Sequence, residues 1–209
     1  MQRLATADPD SATKSLASRL EWSALALCVA ASICLLGWML LRCRSGFDFT
    51  DEGYYLNWIS NPWNYRASVT QFGFVYYPLY KLVGGDIALL RQANVLIIFA
   101  LSCTLCFLWI RALCPGWSAL HPAQRAGLVG VATILASSSL AFFDVWLPTP
   151  NYNSLAFQSL IVAAIGMLLA KNNFSKSSIV GWTLIGIGGG FAFLAKPPTA
   201  GMLVFLIAG

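Results

Sequence analysis

Charge is absent from residues 23–41, 92–110, 126–143, 145–170, 177–195 and 197–209, and the polar residues collect in the segments between these stretches. An α-helix needs about 20 predominantly apolar residues to cross roughly 30 Å of hydrocarbon, which the first five runs supply or closely approach. The pattern predicts membrane-spanning helices over residues 23–41, 87–110, 126–143, 154–170 and 179–195. A sixth apolar run, 199–209, is too short to span comfortably and meets no charged flank, so further spans are expected beyond it. The expected fold is therefore an all-α integral membrane protein of about five to six transmembrane helices. Residues 1–22, polar and mixed in charge, read as a flexible cytoplasmic tail ahead of a multi-span region covering 23–209. The first span is too long for a signal-peptide core and ends in Arg42-Cys43-Arg44 with no small-residue cleavage pattern, so it stays uncleaved.

The longest polar connection, residues 42–86, holds six of the seven Tyr and four of the eight acids, Asp48, Asp51, Glu52 and Asp86. Prolines and small polar residues punctuate the others, at Pro115 and Pro122, at Leu147-Pro148-Thr149-Pro150-Asn151, and at Lys196-Pro197-Pro198. Within the long loop, Thr50 reads as an N-cap with Asp51 and Glu52 in the first turn of a surface helix. Its Tyr55, Trp58 and Ile59 fall at i, i+3 and i+4, as a helix lying on the membrane would place them. Twelve aromatics between Phe47 and Tyr80 suit an interfacial belt, with a few available to stack on a sugar.

Composition narrows the class. The chain has 209 residues, 58% hydrophobic and 10% charged, against about 25% charged in a soluble domain. Thirteen Lys and Arg outweigh eight acids, yet they flank the apolar runs and form no cluster of the nucleic-acid-binding kind. With the N-terminus cytoplasmic, seven bases fall inside and six outside, a slight bias toward an extracytoplasmic 42–86 loop. In that arrangement the sequon Asn173-x-Ser175 is cytoplasmic and a chance match. Cys103-x-x-Cys106 lies mid-span, where cysteine packs as a small hydrophobe, and His121 has no ligand partner nearby. No cofactor or metal site is implied. Asp51, Glu52 and Asp144 could hold a hard divalent cation, though without a diagnostic spacing.

Acids close to a bilayer must be solvated or paired, which makes Asp51, Glu52 and Asp144 candidates for chemistry. Asp144 also reads as a boundary residue before the Pro-rich loop. The order of Asp51-Glu52 after the first span, Tyr76-Tyr77-Pro78-Leu79-Tyr80-Lys81, and Leu89-Leu90-Arg91-Gln92-Ala93-Asn94 at the head of the second span resembles the opening of C-type membrane glycosyltransferases. The resemblance is to the family 39 kind, akin to protein O-mannosyltransferases and lipid A aminoarabinose transferases, and covers residues 20–200. Residues 150–155 and 195–199 resemble later segments of bacterial members. The chain departs from the pattern at Tyr76-Tyr77-Pro78-Leu79, where relatives often carry His or Lys before two prolines; Lys81 is the nearest base.

The resemblance implies an enzyme of the cell (inner) membrane that moves a sugar from a polyprenyl-phosphate carrier to a lipid, glycan or protein acceptor on the extracytoplasmic side. Asp51 would be the general base, with Glu52 beside it, and Arg91 and Lys196 would face the carrier phosphate, with Lys81 and Asp144 as further contacts. The rival reading is a polytopic transporter or flippase-like protein whose acids and Pro-broken segments line a path.

Overall fold

The computed structural model describes residues 9–46, 51–170 and 176–208, and among these every regular element is helical. Thr50 and the Asn173-x-Ser175 sequon lie outside the described residues. Five helical segments are long and apolar enough to cross a membrane: Leu16–Arg42, Ile87–Leu113, Pro122–Asp144, Tyr152–Leu169 and Ser177–Ala195. Each coincides with an expected span, so the chain is a polytopic membrane protein. The elements in order are α1 (Pro9–Arg42), α2 (Glu52–Ser60), α3 (Phe72–Leu82), α4 (Ile87–Leu113), α5 (Pro122–Ser137), α6 (Phe142–Val145), α7 (Tyr152–Leu169), α8 (Lys176–Ala195) and α9 (Pro197–Ala208).

The expected tail is in part helix, because α1 begins at Pro9 and continues without a break into the first span. Its polar portion leans on α5, where a Cβ at Gly127 would sit 3.8 Å from Glu21, and the contact continues into the span, where one at Gly130 would sit only 2.9 Å from the Leu25 backbone. Deeper along the same contact, the hydroxyls of Ser137 and Ser32 meet at 2.8 Å. Helix α7 packs most extensively on α8, at backbone distance. A Cβ at Gly166 would lie 2.7 Å from the Gly181 carbonyl, and one at Gly188 2.8 Å from the Ser159 carbonyl. Small residues at such crossings are how membrane helices, which gain little hydrophobic drive from each other in lipid, pack closely enough to hold. Large apolar side chains left outside, such as Leu27, Trp38, Phe193 and Phe205, give the surface a bilayer requires.

The spans alternate in direction. One end of the bundle gathers residues 17–21 of α1 beside His121 and Gln124, and residues 108–112 beside 168–169 and Ser177. The other end gathers the C-terminus of α1, α2, α3, the start of α4, α6, the Pro148–Pro150 strap and the α8–α9 junction, where the Gln71 amide donates to the Leu194 carbonyl at 2.7 Å. A buried amide network fixes this second end. Tyr76 of α3 donates to Gln158 of α7 at 3.1 Å, Gln158 to Asn94 of α4 at 2.7 Å, and Asn94 to the Pro148 carbonyl at 2.8 Å.

Helix α2 is where the surface helix was expected, but its stripe does not lie on lipid. Tyr55, Trp58 and Ile59 are buried, packed against Phe72 and Tyr76 of α3 and against Leu155 of α7. The i, i+3, i+4 spacing marks an apolar face; tertiary packing, not the membrane, covers it. Gly73 lets this happen, since a Cβ there would come 2.6 Å from the Trp58 side chain and carbonyl.

Candidate functional site

Asp51 and Glu52 are adjacent in sequence and separated in role by the start of α2. Successive helical residues point about 100° apart, so the stripe that buries Tyr55 and Ile59 also buries Glu52 and turns Asp51 outward. Glu52 is 1% exposed. Asp51 occupies the N-cap position, is exposed, and makes no capping hydrogen bond with its side chain.

Arg91 lies inside the protein instead of reaching toward lipid headgroups. Its Nε donates to Glu52 Oε1 at 2.7 Å and its Nη2 lies 2.5 Å from the same oxygen. Thr149 donates its hydroxyl to that carboxylate as well. The remaining donors reach the carbonyls that follow the end of α1: Nη1 to Cys43 at 3.1 Å and Nη2 to Gly46 at 2.9 Å. The Cys43 carbonyl, at the C-terminus of α1, lacks an intrahelical partner, and the guanidinium supplies one. Gly46 has φ +83°, a conformation that favours glycine and aims its carbonyl at Arg91. Arg91 thus ties the end of α1, the start of α2, α4 and the Pro-rich strap together, and most of its donor capacity is spent inside the fold.

Two cavities adjoin at this end of the bundle and share Arg42, Phe143, Leu147 and Pro148 as common walls. The larger, about 530 Å³, is bounded by Glu52, Arg91, Ser45 and Gly46. The smaller, about 320 Å³, is bounded by Asp51, Tyr55, Asp144, Trp146 and Asn151. Arg42 stands between them with its Nη1 3.9 Å from Asp144 Oδ1, both side chains more than half exposed. The cleft therefore joins two outward carboxylates, one outward guanidinium and the buried Glu52–Arg91 pair.

Lys196, at the α8–α9 junction, lines neither cavity; its Nζ lies 4.9 Å above the Tyr152 ring. Tyr152 in turn meets Tyr55 edge-on at 5.8 Å. Burial, followed by a hydrogen bond to Tyr152 and the charge of Asp51, holds the Tyr55 phenol above the ordinary tyrosine value, so it stays neutral beside the cleft. Lys81 is apart from both cavities, exposed on α3 with its Nζ 5.4 Å over Tyr77.

Arg42 and Trp146 went unmarked in the sequence. Arg42 reads there as a flanking charge of the first span, and only the fold shows that two cavities open onto it. Thr149 gave a weak signal through its place between two prolines. Among the described residues no three His, Cys, Asp or Glu side chains come together as metal ligands. Glu52 is engaged by Arg91, and His121 caps α5 at the opposite end, its Nδ1 accepting from the Ala123 amide. No family model, curated protein or solved structure matches the chain.

Proposed function

We propose that the protein is a membrane glycosyltransferase that moves a sugar from a polyprenyl-phosphate carrier to an acceptor hydroxyl, with Asp51 as the base. The observation that carries this reading is the cleft itself: an outward carboxylate that caps no helix, beside an outward guanidinium, at the ends of membrane spans, where a lipid phosphate and an acceptor can meet. The resemblance of the Asp51-Glu52, Pro78-Leu79-Tyr80 and Arg91 segments to C-type glycosyltransferases supplies the reaction type.

A hydroxyl is a poor nucleophile. In the proposed step the Asp51 carboxylate takes the acceptor proton as the acceptor oxygen bonds to the anomeric carbon. The bond from that carbon to the phosphate oxygen breaks, and its electron pair leaves with the lipid phosphate. Negative charge grows on the phosphate, so a cation placed there stabilises the transition state more than the ground state. Glu52 and Arg91 hold the end of α1 and the start of α2 at fixed spacing, which keeps Asp51 aimed at the cleft. The proposed setting is a cell (inner) membrane with the cleft on the extracytoplasmic side and the N-terminus cytoplasmic.

The test is incubation of membranes carrying the protein with a radiolabelled polyprenyl-phosphate sugar. Label passing to a non-carrier product supports the transferase. Label accumulating unchanged inside sealed vesicles would instead support a transporter or flippase.

A further inference from the structure

We propose that Arg42 is the ligand for the phosphate group of a polyprenyl lipid in this cleft, a part that the family resemblance gives to Arg91 and Lys196. The inference rests on the transferase reading for the identity of the lipid, and on the geometry alone for the residue.

Arg91 and Arg42 face the same cleft with different amounts of donor capacity left. Arg91 is 5% exposed and spends Nε, Nη1 and Nη2 on Glu52, Cys43 and Gly46. Drawing it toward an incoming anion would strip a buried carboxylate of its counter-charge, and breaking such a pair is costly. Arg42 has a side chain 56% exposed, and its contact with Asp144 is long at 3.9 Å and solvated. A contact of that kind is weak and gives way readily.

Position reinforces the contrast. Arg42 is the last residue of the first membrane-spanning segment, so it sits where the hydrocarbon gives way to headgroups. It also forms part of the wall of both cavities. A phosphate bound there lies between the Glu52–Arg91 side and the Asp51 side of the cleft, while its hydrocarbon tail can pass into the bilayer along α1. The planar guanidinium offers two parallel N–H donors to two phosphate oxygens, which Lys cannot match. The bland alternative is a cation at a helix C-terminus that snorkels to the interface and complements the helix dipole.

The experiment measures binding of citronellyl phosphate to the protein in zwitterionic phosphatidylcholine nanodiscs, with inorganic phosphate and phosphatidylglycerol as competitors. Arg42→Ala should weaken citronellyl phosphate binding by about 10- to 100-fold, the range expected for loss of charge-assisted hydrogen bonds, with Arg42→Lys between it and wild type. Arg111→Ala, at the opposite end of the bundle, should bind as wild type does. Should Arg42→Ala not fold, Arg42→Gln keeps the stem and removes the charge. Unchanged binding in the Arg42 variants, or an equal loss in Arg111→Ala, overturns the assignment. Competition by inorganic phosphate or phosphatidylglycerol as strong as that of citronellyl phosphate overturns the lipid specificity. Two results separate this inference from the transferase reading: Arg42-dependent binding with no sugar transfer rejects only the transferase. Sugar transfer with a donor KM insensitive to Arg42→Ala rejects only the phosphate ligand.

Discussion

Glu52 and Arg91 form a buried ion pair across the start of two helices, with Arg91 Nη2 2.5 Å from Glu52 Oε1 and both side chains under one-tenth exposed. Taking two charges out of water is expensive, and the pair is tolerable because Thr149 and two backbone carbonyls complete its hydrogen bonds. What the pair secures is geometry: through Arg91 it ties the Cys43 and Gly46 carbonyls to the start of α2, hence the mouth of the cleft.

Removing one partner should therefore cost more than removing both. Glu52→Gln or Arg91→Met alone should destabilise the protein by about 3–5 kcal/mol, because an uncompensated charge stays buried. The double variant should recover part of that loss. Thermal unfolding in detergent, set out as a double-mutant cycle, checks this; additive single effects would show that the two side chains are not coupled.

Close packing of α7 on α8 predicts a contrast between neighbouring glycines. A Cβ at Gly188 would lie 2.8 Å from the Ser159 carbonyl and 2.9 Å from the Ala163 amide, whereas one at Gly189 meets nothing within 4 Å. Gly188→Ala should destabilise by about 1–3 kcal/mol through overpacking of backbone on backbone. Gly189→Ala should be neutral or stabilising, since alanine favours helix over glycine by up to about 1 kcal/mol. Equal melting temperatures for the two variants would contradict the packing.

What is legible in the sequence depends on whether a feature is local. The spans are, because charge is excluded from apolar stretches of that length by the hydrocarbon itself. The site end of the bundle is partly so: Asp51, Glu52, Arg91 and Asp144 do come together. The direction in which each points is not. Tyr55, Trp58 and Ile59 have the same spacing whether lipid or α3 covers them, and Gly73, which admits α3, carries no side chain to mark it. Arg91 at a span's head fits snorkelling as well as burial until Glu52 and the α1 carbonyls are in place. The polar start of α1 reads as a tail because its packing partner, Gly127 beside Glu21, is separated from it by about a hundred residues of chain.

Topology follows from the alternation of spans. Ala67, in the α2–α3 connection, and Ser118, between α4 and α5, should lie on opposite sides of the membrane. In a cysteine-free background, Ala67→Cys should react with an impermeant thiol reagent in intact cells and Ser118→Cys only after permeabilisation. Labelling of position 118 but not 67 would reverse the orientation proposed for the cleft.

In the proposed reaction Asp51 removes the proton from an acceptor hydroxyl. Asp51→Asn keeps the shape of the side chain, leaves the buried Glu52–Arg91 pair untouched and abolishes the base. The decisive measurement is the rate of sugar transfer from a labelled polyprenyl-phosphate donor in membranes carrying matched amounts of wild type and Asp51→Asn. Loss of a general base typically lowers a rate by about 10²–10⁴-fold, and that is the fall expected here, with membrane insertion and thermal stability unchanged. Transfer by Asp51→Asn at the wild-type rate would contradict the account.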